Sequence, residues 1–249
     1  MNRTGLPNST FDRTVRSHSL AAAGQRGRWA SLGVSQTRNV TASKQALFLA
    51  ALLISGVCAA QLGQISEGTY ISPLNNFTVP IPRGIGTRVQ DEGGPNGGMV
   101  AFHDDFGNFK SIFYLRLSPE ATQTQIDPEK QRANLQRFLS NFAMPNLFRR
   151  ASPRANVLTE EHITVGESSA YFAIVDLPEG STMYDAKANK RFDTWRGVLV
   201  FVNDAFIYML SSGENPSVLE LKKPKTLEQL KESEKDTLVS FKSVIAFKP

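Results

Sequence analysis

The chain has 249 residues, with 28 Lys and Arg against 23 Asp and Glu, a formal charge of +5, and one cysteine. One cysteine excludes an intramolecular disulfide framework. Residues 1–60 hold Arg3, Arg13, Arg16, Arg26, Arg28, Arg38 and Lys44 against Asp12, a balance of +6 that leaves −1 for the remainder, so no broad basic footprint is left to hold nucleic acid.

The first 39 residues are rich in Ser, Thr, Arg, Asn and Gly. They cannot bury enough apolar surface to offset chain entropy, so residues 1–45 are expected to be a disordered basic leader. Ala46–Ala60, ALFLAALLISGVCAA, is fifteen residues without a charge, flanked by Lys44 and Gln61. A bilayer span needs about 20 apolar residues. The stretch has the parts of a secretory signal instead: a positive flank, an apolar core, then small residues for a peptidase. Cleavage after Ala60 would put Cys58 and Ala60 in the peptidase pockets, and cleavage after Ala59 would put Val57 and Ala59 there. Cys58 would leave with the leader, and Val57 before it does not suit lipid attachment. Residues 61–249 are then a single domain, extracytoplasmic (periplasmic or secreted), with no stable membrane span after cleavage. Two readings of the leader stay open. Translation starting near Val40 would make Val40–Gln45 an ordinary n-region. Alternatively, residues 1–39 are the transit half of a two-part address to an organelle lumen.

In the remainder, Pro73–Asn76 reads as a turn, and Phe77, Val79 and Ile81 alternate with Thr78 and Pro80, which predicts a short strand. Pro80 lacks an N–H, which places that strand at a sheet edge. Gly86–Glu92, Met99–His103 and Phe109–Leu117 are further predicted strands, with turns at Gly93–Gly98 and Asp104–Asn108. In the last of them Phe109, Phe113, Leu115 and Leu117 are expected to face the core, and Lys110, Ile112, Tyr114 and Arg116 a partly covered side. Asp127-Pro128 starts a helix, and Leu135, Phe138, Leu139 and Phe142 form its apolar stripe until Pro145 ends or bends it. Strands return at Val157–Val165 and Ala170–Leu177. Pro178–Lys190 is a polar insertion. Trp195–Val202 and Ala205–Leu210 flank a turn at Asn203-Asp204 and are apolar enough to be central in the sheet. After a polar connection at Pro216–Lys225, Thr226 with Gln229 makes a capping box. Leu227, Leu230, Thr237, Leu238 and Phe241 carry the second helix, and a short strand closes at Ser243–Phe247. The order predicts an α+β fold: one antiparallel sheet covered by two main helices, an α/β/α sandwich.

Tyr70 to Phe247 resembles the PsbP-like family, whose fold is shared with the Mog-type Ran-binding proteins. The residues that carry the resemblance are YISPLNNFTVPIP (70–82), VAFHDDF (100–106), GESSAYFAIV (166–175), WRGVLVFVNDAFIYML (195–210) and SFKSV (240–244). The resemblance implies a non-enzymatic accessory or assembly factor, bound to another extracytoplasmic protein, with no catalytic residue and no cofactor to transfer.

Chemistry-bearing groups are few. His103 and Asp105 are the candidate metal ligands, with Asp104 between them on the opposite face of an extended strand. They would serve a secreted metal-dependent hydrolase, the alternative function. His162 beside Glu160 and Glu161 is a candidate acid–base group, against an exposed position on an alternating strand. Gly166–Ala170 lacks the fifth glycine and the following helix of a nucleophile elbow. Gly84-Ile85-Gly86 and Gly93–Gly98 lack the rest of a dinucleotide or phosphate loop. Asn76-Phe77-Thr78 is a glycan acceptor pattern for a eukaryotic secretory route.

Overall fold

A computed structural model describes residues 62–84, 86–105, 107–124, 127–181, 184–185, 189–213 and 226–248. The leader, the Ala46–Ala60 run and the whole of Pro216–Lys225 lie outside them. The described residues build a mixed α+β fold with two antiparallel sheets and a two-stranded ribbon.

The larger sheet has seven strands. β4 (Arg88–Gly94), β5 (Gly97–His103) and β6 (Phe109–Arg116) precede the first helices; β7 (Asn156–Val165), β8 (Ser168–Leu177), β11 (Thr194–Asn203) and β12 (Phe206–Gly213) follow them. The spatial order is β4-β5-β6-β12-β11-β8-β7. The apolar pair β11–β12 is therefore central, as its composition predicts. Its turn is Asp204-Ala205 rather than Asn203-Asp204: Asn203 pairs with Phe206, and Asp204 takes the left-handed φ of 51°. Asp tolerates that backbone because its short polar side chain can bond locally. The β4–β5 strands also run through the glycines predicted as turn, with Gly93 opposite Gly98 and Gly94 opposite Gly97. A Cβ on Gly97 would stand 2.4 Å from the Tyr114 carbonyl oxygen, so glycine there lets β5 close on β6.

The smaller sheet has the order β1-β2-β3-β13, from β1 (Gln64–Ser66), β2 (Thr69–Ile71), β3 (Phe77–Pro80) and β13 (Ala246–Phe247). β3 is thus internal, contrary to the edge expected of it. Pro80 is accommodated because β13 pairs only with Phe77 and Thr78 and does not reach it. The polar insertion holds the ribbon, β9 (Tyr184–Asp185) against β10 (Lys190–Arg191).

Two apolar clusters lie on the two faces of the large sheet. One joins Phe102, Ile112, Tyr114, Phe172, Leu199 and Tyr208 to Tyr70, Phe77 and Val79 of the small sheet and to Leu230, Leu238 and Phe241. The other joins Val175, Val198, Val200 and Met209 to Leu135, Leu139, Met144 and Phe148. Both faces of β6 are thus covered: Phe113, Leu115 and Leu117 pack on the second cluster as expected, but Ile112 and Tyr114, expected on a partly covered side, are fully buried. Alternation identified the two faces, but the small sheet that covers the first is distant in sequence. Charged residues at the ends of β6 reach over aromatic rings instead of water alone: Lys110 Nζ lies 5.3 Å from the Phe241 ring and Arg116 Cζ 5.2 Å from Phe206.

After α1 (Pro119–Thr124), α2 (Pro128–Arg137) starts as predicted, with the Asp127 carboxylate accepting from the N–H groups of Glu129 and Lys130. Leu135 and Leu139 are buried while Arg137 and Asn141 are exposed. Beyond Arg137 the chain widens into an eleven-residue π-helix, Phe138–Phe148, and Pro145 neither ends it nor leaves it regular. The Arg149 N–H donates to the Met144 carbonyl five residues back. In an α-helix a proline ring strikes the carbonyl four residues back; the wider turn relieves that clash. α3 (Arg149–Ala151) completes this helical run. α4 (Leu227–Ser243) has the capping box expected of Thr226 and Gln229. Its buried residues are Leu230, Glu234, Leu238 and Phe241; Leu227, expected on the stripe, is exposed.

Candidate functional site

The ends of β5, β6 and β12 meet the middle of α4 around a cleft of about 280 Å³. Sheet register sets its floor. Lys110 stands opposite Phe102 on one side and Ser212 on the other, and Ser212 stands opposite Gly197. Glu234 comes down from α4 onto this row. Only 2% of it is exposed, and it accepts a short hydrogen bond from the Ser212 hydroxyl. Gly197 makes room for it: a Cβ there would lie 2.8 Å from Glu234 Cβ. A carboxylate in such a place is stable only when hydrogen-bonded and near positive charge.

The adjacent row supplies that charge. Arg196 passes over Gly213, where a Cβ would stand 2.5 Å from its Nη1, and its guanidinium lies 4.3 Å from the Phe109 ring. Its Nη1 donates to the Trp195 carbonyl at 3.0 Å. Burial pulls the Arg196 pKa down to about 10, with the Glu234 charge pulling it back up. Although the residue keeps some surface, its charged end is packed, and that packed end sets the shift. The guanidinium stays protonated at neutral pH.

Two loops form the rim. Asp104 accepts from the Asn108 backbone N–H at 2.9 Å and from its side-chain amide at 2.7 Å. Gly84 and Gly86 bring the facing loop against them: a Cβ on Gly86 would lie 2.2 Å from an Asp105 carboxylate oxygen, and Gly86 has a φ of 71° that only glycine adopts freely. Arg88 of β4 closes the rim by an ion pair to Asp105 at 2.7 Å.

The candidate ligands thus fall into one neighbourhood with different attachments. His103 ends β5 opposite Arg88, and its buried Nε2 has no hydrogen-bond partner among the described residues. Asp105 is engaged by Arg88, and Asp104 with His103 lines the cleft. Among the described residues, no three His, Cys, Asp or Glu side chains gather closely enough to hold a metal.

His162 does not join Glu161. It is exposed on β7 with its ring 4.7 Å from Tyr171, and burial lowers its pKa first, with Arg132 adding to the effect. Glu161 points the other way and binds Lys231 at 2.9 Å and Lys235 at 3.4 Å on α4. Asn76 is 3% exposed, and its amide donates to the Tyr208 hydroxyl at 2.9 Å. In the folded chain it is closed to a glycan, contrary to its sequence pattern. A second hollow of about 610 Å³ lies beside the ribbon, where Arg154 and Glu179 pair with each other at 2.7 Å.

Glu234, Ser212, Gly197 and Arg196 did not stand out as functional in the sequence. One signal was available: Glu234 sits four residues from Leu230 and four from Leu238, an acid in the middle of an apolar stripe. Its partners lie on other elements and have no local pattern.

The chain is similar to cyanobacterial PsbP from Synechocystis sp. PCC 6803, with 13% identity and a TM-score of 0.40 over 78% of this chain and 96% of that one. It is also similar to a protein from Bacteroides thetaiotaomicron VPI-5482, with 9% identity and a TM-score of 0.39 over 73% of this chain and 48% of that one. No protein-family model and no curated protein matches the chain. No helix among the described residues is long and apolar enough to cross a membrane.

Proposed function

We propose that residues 61–249 form an exported, non-enzymatic accessory domain, PsbP-like in its α/β/α layering, that docks on another extracytoplasmic protein. The signal-like run at Ala46–Ala60 and the motifs between Tyr70 and Val244 support this reading. The observation that carries it is the Arg88–Asp105 ion pair. It ties Asp105 to the first residue of β4 and engages the carboxylate that metal chemistry would need. Loops fixed on a rigid sheet are a common place for recognition. A photo-crosslinking residue at Asn108 should trap one stoichiometric partner in the native envelope or lumen, whereas the same residue at Tyr184 should not. Equal trapping at both places, or at neither, would refute the docking reading.

The metal-dependent hydrolase retains one favourable observation, the buried His103 Nε2 without a hydrogen-bond partner among the described residues. A neutral imidazole nitrogen is a common metal ligand. Metal analysis of the purified full chain decides between the two. Stoichiometric metal that is lost in His103→Ala would establish the hydrolase site and displace the accessory reading.

A further inference from the structure

We infer that the outer face of the helical run α2–π–α3 is a docking surface for an anionic lipid membrane. From Pro128 to Arg154 the chain carries Lys130, Arg132, Arg137, Arg149, Arg150 and Arg154 against Glu129 alone, a balance of +5. The rest of residues 61–249 therefore carries −6. All six cations are exposed. Leu135, Leu139, Met144 and Phe148 hold the other side of the run on the large sheet, so the charges face outward. Arg137, Asn141, Pro145 and Arg149 recur every four residues and are all exposed, which lays them along one outward line. Lys130 pairs with Asp127, and Arg154 with Glu179. Among the described residues no carboxylate lies within ion-pair distance of Arg132, Arg137, Arg149 or Arg150. Glu160 of β7 reaches the flank of the run at Gln136, about 100° round the helix from Arg137.

Crowded like charges repel one another, and nothing on this face offsets them, so their complement is external. A specific protein interface is built round an apolar or aromatic core. The large apolar side chains exposed among the described residues are Leu62, Ile65, Leu158, Tyr184, Leu227 and Val244, and none belongs to this run. A layer of anionic headgroups asks for no such core. It attracts clustered cations, at roughly a fivefold gain in partitioning for each Lys or Arg. The negative surplus elsewhere is repelled by the same layer, so adsorption has one orientation. α4 packs on the opposite face of the large sheet and then looks away from the lipid.

The test measures co-sedimentation of the protein, purified from its native source, with phosphatidylcholine vesicles with and without phosphatidylglycerol. Binding should need the anionic lipid and weaken as salt is added. Arg137→Gln together with Arg150→Gln should lower partitioning about 25-fold at low salt. Both side chains are exposed and neither has a hydrogen bond or ion pair among the described residues, so this variant should keep the parent's circular dichroism. Arg116→Gln together with Lys248→Gln changes net charge equally on the other side of the large sheet and should cost less than about twofold. A fluorescent reporter at Asn141 should respond to the vesicles while one at Ser240 on α4 stays silent, which separates this face from any contact made by the N-terminal apolar run. The inference is overturned if the parent ignores anionic vesicles, if the two double variants weaken binding equally, or if the Ser240 reporter responds like that at Asn141. It is overturned too if polyglutamate or duplex DNA displaces the vesicles at a lower concentration of charge, which would give the face to a protein or nucleic-acid partner. Crosslinking at Asn108 reports on protein docking, so the two ideas fail separately.

Discussion

A carboxylate on the apolar face of a helix needs a hole in the surface opposite, and Gly197 is that hole. Adding one methyl there should drive Glu234 off the sheet. Gly197→Ala is expected to cost about 1–3 kcal/mol in urea unfolding, as overpacking does. In a Glu234→Gly background the three atoms nearest that methyl, all of the Glu234 side chain, are gone, so the extra cost should fall below about 1 kcal/mol. If the two substitutions simply add, the close approach is not what constrains position 197. Tyrosine supplies a second prediction at this scale. Burial raises the Tyr208 pKa to about 12, with the Asn76 amide partly offsetting it and Asp204 adding to it. Burial also pushes Tyr70 and Tyr114 up. For a group raised on folding, stability is complete below the unfolded value near 10 and is lost as pH rises through the folded value. Stability should therefore decline above pH about 10, and absorbance of ionised core tyrosine should grow together with loss of near-ultraviolet circular dichroism. Early ionisation of these tyrosines with the fold intact would contradict their burial.

At the scale of elements, α4 is joined to β7 by Glu161, which binds both Lys231 and Lys235. The hydrogen bond from Lys231 is the main reason that the Glu161 pKa lies below its ordinary value; burial opposes it. Its contribution is therefore present above the usual carboxylate range and disappears as pH falls through the lowered value. Glu161→Gln should destabilise the domain by about 1 kcal/mol near pH 7, the upper end for a partly exposed pair. The difference from the parent should vanish in acid, as urea titrations at several pH values would show. A constant difference would locate the effect in packing. The helical run from Pro128 teaches a different lesson. Its cap, its proline and its buried stripe were all legible, because each depends on neighbours within one or two turns. The π-helix was not, since widening at Phe138 answers both to Pro145 and to the rings it meets: Phe113 lies 5.7 Å from Phe142, and Phe138 stacks on Phe142 at 5.1 Å.

For the molecule as a whole, location and function meet at the N-terminus. If Ala46–Ala60 is a discarded export signal, intact mass of the protein isolated from its native source should correspond to a chain beginning at Ala60 or Gln61. A mass that retains the apolar run would make it an uncleaved anchor and tie the domain to a membrane surface. The accessory reading places the same domain beyond that membrane, with its rim loops turned toward a partner.

Period-two alternation, capping residues and turn composition were enough to find all seven strands of the large sheet and both long helices, but not β1, β2, β9 or β10, because those signals act over a few residues along one backbone. The chain also declared its α+β class and its central hairpin without help. Coverage of β6, the internal place of β3, the closure of Asn76 and the cleft itself came from elsewhere. Each depends on which distant segments stack on a given face. His103, Asp105, Glu234 and Arg196 acquire their surroundings from strands and a helix far apart in number. Burial and charge environment are properties of that stacking, and no local pattern encodes them.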